Sequence, residues 1–246
     1  MKAWLDGVAA DLELLAELFA EGDIRVVRDG ADYYLTAPDI DNPPPDTRFH
    51  SAATARLHDL NGLARLEDIA FRPVGLSGKY TDGERVHHVV SPAPARLTLR
   101  MGRPKATITR ADGTVVPDPP SPWPSRAELV ASRRAVARVI RITARNEDLD
   151  WYDLYKIHEI IRDDIKSEDI GVEGWANKIE ALGWATKAED GAFTASADRY
   201  DISGEDARHA VDKHPERPKR TMNLHEGHAY IKRLAKRWMD YRIAAR

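Results

Sequence analysis

Pro117-Asp118-Pro119-Pro120-Ser121-Pro122-Trp123-Pro124 places five prolines in eight residues. Proline lacks a backbone N–H and holds φ fixed, so neither a helix nor a central strand is expected to run through this stretch. It reads as a stiff, extended linker. The chain is thereby divided into residues 1–116, the connection 117–124, and residues 125–246.

The hydrophobic period differs on the two sides of the linker. Before it, Leu12, Leu15, Ala16 and Phe19 recur at helical spacing and predict a short helix ending near Gly22. Runs at Ile24–Val27 and Tyr33–Thr36 flank Arg28-Asp29-Gly30-Ala31-Asp32, which predicts a hairpin. The same device returns at Asp82-Gly83 and at Asp112-Gly113. Asp-Gly supplies the positive φ that tight hairpin turns need. A second helix is expected over about Ser51–Leu66. After the linker the period becomes 3.6. Ser125 with Glu128 has the capping-box spacing and opens a helix predicted to reach about Asn146. Asp150, Thr186 with Glu189, Ser203 with Asp206, and Asn223 with Glu226 mark further helix starts, and Trp175, Ile179 and Leu182 give a short helix between them. The fold expected is α+β: an N-terminal antiparallel-sheet domain with two helices and about five or six strands, then an all-α helical bundle.

Composition removes several function classes. The 246 residues include no cysteine, so a disulfide, a thiolate-ligated metal or a thiol nucleophile cannot form. A hydrophobic fraction of 42% with 31% charged residues is that of a folded chain. No apolar run approaches the roughly 20 residues of a membrane span, and acidic residues interrupt the N-terminus before a signal peptide can form. A cytoplasmic protein with no membrane partner is expected. The phosphate loop, the dinucleotide-binding glycine pattern and the nucleophile elbow are all absent from the sequence.

Charge is unevenly placed. Residues 208–246 hold 11 Lys+Arg against 4 Asp+Glu, and residues 143–190 hold 6 against 13. The basic segment can serve as a phosphate-binding surface. It can equally lie against its acidic neighbour and leave the field internal. Trp175 and Trp184 likewise read either as core residues or as rings on which bases stack.

Chemistry concentrates at Arg208-His209-Ala210-Val211-Asp212-Lys213-His214, followed by Pro215. A planar guanidinium matches two phosphate oxygens, and an imidazole exchanges protons near neutral pH. Arg208 is expected on a helix, with His214 where the chain leaves it, because a residue before proline avoids α geometry. Together these groups suffice to cleave RNA by attack of its own 2′-hydroxyl, without a metal. The bland alternative pairs Arg208 with Glu205 or Asp212 and leaves both histidines in solvent.

An arginine, a polar residue and, a few positions on, a histidine beside the last helix of a bundle resembles the HEPN superfamily, over residues 125–246. The matching residues here are Arg208, His209 and His214. The group includes bacterial RNase toxins and antiviral effectors, and its members usually form homodimers in which two motifs build one site. The resemblance implies an endoribonuclease with RNA as partner, no cofactor and no metal. Arg208 would hold the phosphate, His214 would serve as general acid or base, and His209 or Glu159 would support them. In many members the motif runs into a continuous helix, whereas here Pro215-Glu216-Arg217-Pro218-Lys219-Arg220 breaks it. The run Trp151-Tyr152-Asp153-Leu154-Tyr155-Lys156, with Gly183-Trp184 and Phe193-Thr194, also resembles bacterial proteins to which no activity is attached.

Two other readings stand beside this one. The chain can be a non-catalytic interaction or ligand-sensing module that dimerises through its helices. A metal enzyme would rest on His225 and His228, which share a helix face, with Asp163 or Asp164 as a third ligand. His87 and His88 point to opposite faces of a strand, so one is expected in the core and one at the surface.

Overall fold

The computed structural model describes residues 1–89, 121–145, 148–208 and 220–245. The third expected hairpin, at Asp112-Gly113, and residues 117–120 of the proline run lie outside them. The chain forms two compact units: Met1–Arg65 with Ala70–Glu128, and Leu66–Ile69 with Leu129–Arg246.

Among the described residues the first unit has five strands. β1 (Lys2–Asp6), β2 (Arg25–Asp29), β3 (Asp32–Thr36), β4 (Gly75–Asp82) and β5 (Arg85–His88) form an antiparallel sheet in the order β2-β3-β1-β4-β5. Gly30 and Gly83 take φ of 66° and 56° in the two hairpin turns, a region that costs glycine nothing. Strand alternation separates two faces. Ala3, Leu5, Val26, Tyr33, Leu35 and Tyr80 are buried, while their neighbours Lys2, Trp4, Val27 and Tyr34 are not. The buried set joins Leu12, Leu15 and Leu18 of α1 (Ala9–Leu18) and Leu57, Leu60 and Leu63 of α3 (Phe49–Glu67) in the core. Glu13 of α1 accepts from Tyr33 Oη at 2.5 Å and pairs with Arg28, which fixes α1 on that inner face. Asn61 holds the chain before β4: its amide donates to Val74 O at 2.9 Å and its carbonyl accepts from Val74 N.

Two elements of this unit were not expected. β1 is the middle strand, although no turn signal precedes it and its largest side chain, Trp4, faces outward. A short helix, α2 (Pro38–Asp41), starts with proline in its first turn, where the missing N–H has no partner to lose. The two histidines of β5 are both exposed, which corrects the expectation that one is buried. β5 is an edge strand, and none of its four residues enters the core.

The proline run also ends differently. α4 (Trp123–Ser132) starts at Trp123, so Trp123 and Pro124 are helical and the start lies two residues before the expected Ser125. Proline at the second helical position removes a donor that a helix start leaves unpaired in any case. Ser121 Oγ donates to Leu18 O at 2.7 Å and ties this end to the first unit. The single helix expected to reach Asn146 is two helices. α4 ends at Ser132, Arg133 is extended at φ −125° and ψ 113°, and α5 covers Arg134–Thr143. Ser132 Oγ donates back to Leu129 O, a local bond that competes with continuation of the helix.

The second unit continues with α6 (Trp151–Ile165), α7 (Trp175–Ala181), α8 (Lys187–Asp198), α9 (Tyr200–Ser203) and α10 (Leu224–Ala244). Asp150 caps α6 by accepting from Asp153 N, and full capping boxes open α8 at Thr186–Glu189 and α10 at Asn223–Glu226. Ser203 stands at the N-cap of a single 3₁₀ turn but makes no side-chain cap bond. It ends α9, its hydroxyl donates to Ser196 O, and residues Gly204–Asp206 make a 3₁₀ turn. α6 is the central helix, in contact with α5, α8 and α10. Trp238, Tyr230, Leu234, Phe193, Ile140, Ile157 and Ile161 are buried in the core of this unit.

The basic residues of α10 meet acidic partners. Arg242 is 3% exposed, and its Nε donates to Asp164 Oδ2 at 2.7 Å. Its Nη1 reaches Glu168 at 2.6 Å, and Trp238 Nε1 donates to the same Asp164 oxygen at 2.8 Å. Arg233 pairs with Glu189 at 2.9 Å. Of the two readings of the charge asymmetry, these contacts realise the internal one for α10.

Gly227, in the first turns of α10, faces the Trp151 ring. A Cβ there would lie 2.6 Å and 2.7 Å from Trp151 ring carbons. Alanine would gain about 1 kcal/mol of helix propensity, but overpacking of this kind costs about 1–3 kcal/mol. Gly227→Ala is expected to lower the urea midpoint of this unit. An unchanged or raised midpoint would mean that α6 and α10 can part at no cost.

Candidate functional site

Arg208 follows the 3₁₀ turn, and its backbone N–H donates to Ala197 O at 2.8 Å, anchoring it beside the end of α8. It therefore lies in a bend and not on the expected helix, because the turn at Gly204–Asp206 closes before it. Of the two expected local partners, Glu205 does not serve it. Glu205 accepts from Tyr200 Oη instead, at 2.9 Å, and Asp212 lies outside the described residues, as do His209 and His214.

The arginine reaches across to α6. Its guanidinium lies 3.4 Å from Glu159 and 3.6 Å from Asp198, and its carbon sits 4.4 Å from the centre of the Tyr155 ring. Tyr155 and Glu159 are four residues apart on one helix, so both present to the same neighbour. Burial pushes the Tyr155 hydroxyl above its ordinary pKa, so the ring stands neutral under the cation. The Arg208 side chain remains 32% exposed. Ion pairs this open are worth about 1 kcal/mol or less, which leaves the guanidinium free to exchange a carboxylate for a phosphate.

Glu159 also lines a cavity of about 710 Å³. Arg138 of α5, Lys156 and Arg162 of α6 and Trp175 of α7 form much of its wall. Asp163 and Glu173 line it as well, so the wall carries both signs of charge, and Glu159 is the residue it shares with Arg208. Lys178, also in the wall, is committed: its ammonium donates to Lys166 O and Glu168 O, carbonyls just past the end of α6.

Behind that wall lies a buried polar cluster that sequence reasoning missed. Asp190 Oδ1 accepts from Trp175 Nε1 at 2.8 Å and Tyr230 Oη at 2.7 Å, and His158 Nε2 lies at 2.7 Å. Trp175 Nε1 is also 3.1 Å from His158 Nε2, but that nitrogen donates to the carboxylate, so the indole proton goes to Asp190. Burial raises the Asp190 pKa, yet the hydrogen bonds and charge of His158, with Trp175 and Tyr230, outweigh it, and the net shift is downward. Burial, then the Asp190 charge, push Tyr230 upward. His158 is 1% exposed. One signal for it was present: His158 is four residues after Leu154 and three before Ile161, a core position held by a polar residue.

Trp175 joins the cluster to the cavity, half-buried with its N–H turned inward. Trp184 is a core residue. Among the described residues no group of three metal-ligating side chains occurs, so His225 and His228 are not joined there by a third ligand. Asp164, one of the candidate third ligands, is taken by Arg242 and Trp238.

No protein-family model, curated protein or solved structure matches this chain. What the site can do rests on its own geometry. No described helix is long and apolar enough to cross a membrane.

Proposed function

We propose that the helical unit is a metal-independent endoribonuclease of the toxin or defence type, working as a homodimer on single-stranded RNA. The observation that carries the reading is the convergence of Arg208 and Glu159. They come from distant parts of the chain and meet at 3.4 Å, and Glu159 also lines the cavity to which Arg138, Lys156, Arg162 and Trp175 contribute. Arg208 would take two oxygens of the scissile phosphate, and Arg138, Lys156 and Arg162 would hold flanking phosphates.

In the reaction the 2′-oxygen attacks phosphorus, the bond to the 5′-oxygen breaks, and a 2′,3′-cyclic phosphate and a 5′-hydroxyl result. One group removes the 2′ proton and another protonates the leaving oxygen. His214 is assigned the part of general acid or base, the His214 of the paired copy takes the other, and His209 supports them. Glu159 orients Arg208.

With EDTA present, purified protein is expected to cut labelled single-stranded RNA and leave cyclic-phosphate ends. Arg208→Ala should slow cutting about 100-fold or more, as loss of a transition-state donor does. Its stability should fall by no more than about 1 kcal/mol, as for an open ion pair. Wild-type protein that leaves RNA intact, or an alanine variant that cuts normally, would sink the reading.

A second reading is favoured by one feature. Arg208 has carboxylates on two elements, Glu159 and Asp198, as a purely structural arginine would. If Arg208→Ala unfolds the helical unit, the residue is structural and the catalytic reading loses its basis, whereas a non-catalytic interaction module predicts wild-type behaviour from the variant.

A further inference from the structure

The outer face of the first unit's sheet carries groups that its fold does not require. Strand alternation places Lys2 and Trp4 of β1, Tyr34 of β3, and Lys79 and Thr81 of β4 opposite the buried side. Register adds Val86 and His88 of β5, which stand opposite Thr81 and Lys79. On this face the neighbouring strands β1 and β3 bear large rings, side by side. Trp4 and Tyr34 are cross-strand partners with ring centres 5.5 Å apart at 61°. Trp4 Nε1 donates to Thr81 Oγ1 at 3.1 Å, which holds the indole in one orientation.

Cations cover the rings. Lys79 Nζ is 4.6 Å from the Trp4 ring centre, and Lys2 Nζ is 4.5 Å from that of Tyr34. Lys2 also pairs with Asp29 at 3.0 Å, and Lys79 is exposed. Rings held in the middle of a sheet, with ammonium groups over them, are the two components of a single-strand binding surface. Bases stack on the rings, and the displaced lysines take phosphates.

We infer that this sheet face is a second nucleic-acid site that binds single-stranded RNA, with Trp4 and Tyr34 as stacking platforms and Lys79, Lys2 and His88 toward the phosphates. The site lies in the other unit from Arg208 and stands whether or not that residue is catalytic. An acidic polypeptide would use the lysines but would leave the rings without a role.

The test is fluorescence anisotropy of labelled oligouridylate with the full chain carrying Arg208→Ala, so that the probe is not cut during the measurement. Binding is expected with Kd on the order of 1–100 µM. Trp4→Leu and Tyr34→Leu should each weaken it by roughly 5- to 150-fold. Tyr34→Phe should bind like the parent. Lys79→Ala should reduce the salt dependence by about one phosphate contact. Because the leucine variants remove half-buried rings, their folding is checked by circular dichroism. Should they unfold, Lys79→Glu at its exposed position decides, with binding expected to be lost. No binding by the parent, full binding by the folded leucine variants or by Lys79→Glu, or equal capture of a polyglutamate of the same charge would overturn the inference.

Discussion

Asp190→Ala is expected to cost the helical unit about 3–5 kcal/mol, the largest effect of any single substitution proposed for it, because it strands buried donors around a lost charge. Three donors, from His158, Trp175 and Tyr230, converge on one carboxylate oxygen within 2.8 Å. Water cannot replace the carboxylate where Asp190 and Tyr230 are buried and His158 is fully enclosed. Each donor left unpaired costs about 1–3 kcal/mol, and the three costs are not additive because the cluster relaxes together. Asp190 also lies in the first turn of α8, where the helix dipole favours a negative charge.

The same residue sets a pH dependence. The folded pKa of Asp190 lies below the ordinary 3.8, so the folded state prefers the ionised form. Its contribution is complete above that ordinary value and is lost as pH falls through the lower folded value. The acid limb of the stability profile should therefore flatten in Asp190→Asn, which keeps an acceptor oxygen but no charge. Urea unfolding at neutral pH and at a series of acid values reads both effects. A neutral-pH midpoint for Asp190→Ala equal to that of the parent would show that the three donors find other partners.

Asp164→Ala ranks second, with an expected loss of about 2–4 kcal/mol. It removes the acceptor shared by Arg242 Nε and Trp238 Nε1 and leaves the guanidinium, 3% exposed, with Glu168 and the Asp164 carbonyl. Glu168→Ala removes only the outer partner, whose side chain is about one-third exposed, and should cost about 1 kcal/mol or less. The ordering of the two variants is the test, made by denaturant midpoints at equal slope. If Glu168 proves the costlier loss, the charge of Arg242 is balanced from the rim and not from Asp164.

Signals confined to a few neighbouring residues were legible in the sequence. Asp150, Thr186 with Glu189, and Asn223 with Glu226 cap helices where a side-chain oxygen can reach an N–H three residues on. Both described Asp-Gly turns close hairpins. What escaped depends on partners far along the chain. β1 has little alternation of its own and becomes a strand because β3 and β4 flank it. Ser203 carried a capping pattern, but its hydroxyl went to Ser196 O. At the site, resemblance paired Glu159 with Arg208, and no spacing could have done so. His158 and Asp190 meet across 32 residues, and Tyr230 reaches Asp190 across 40. No local pattern encodes a cluster of that kind, since each member alone reads as an ordinary helical residue.

Gly227 and Trp151 share one volume between two helices, and this ties their histories together. A lineage that puts a side chain at position 227 must first, or in the same step, give up the indole at position 151. A lineage that shrinks the tryptophan leaves a hollow that a larger residue at 227 can fill. The two positions should drift as a pair. Distant kin of this chain are then better recognised by the summed size of those two residues than by the identity of either.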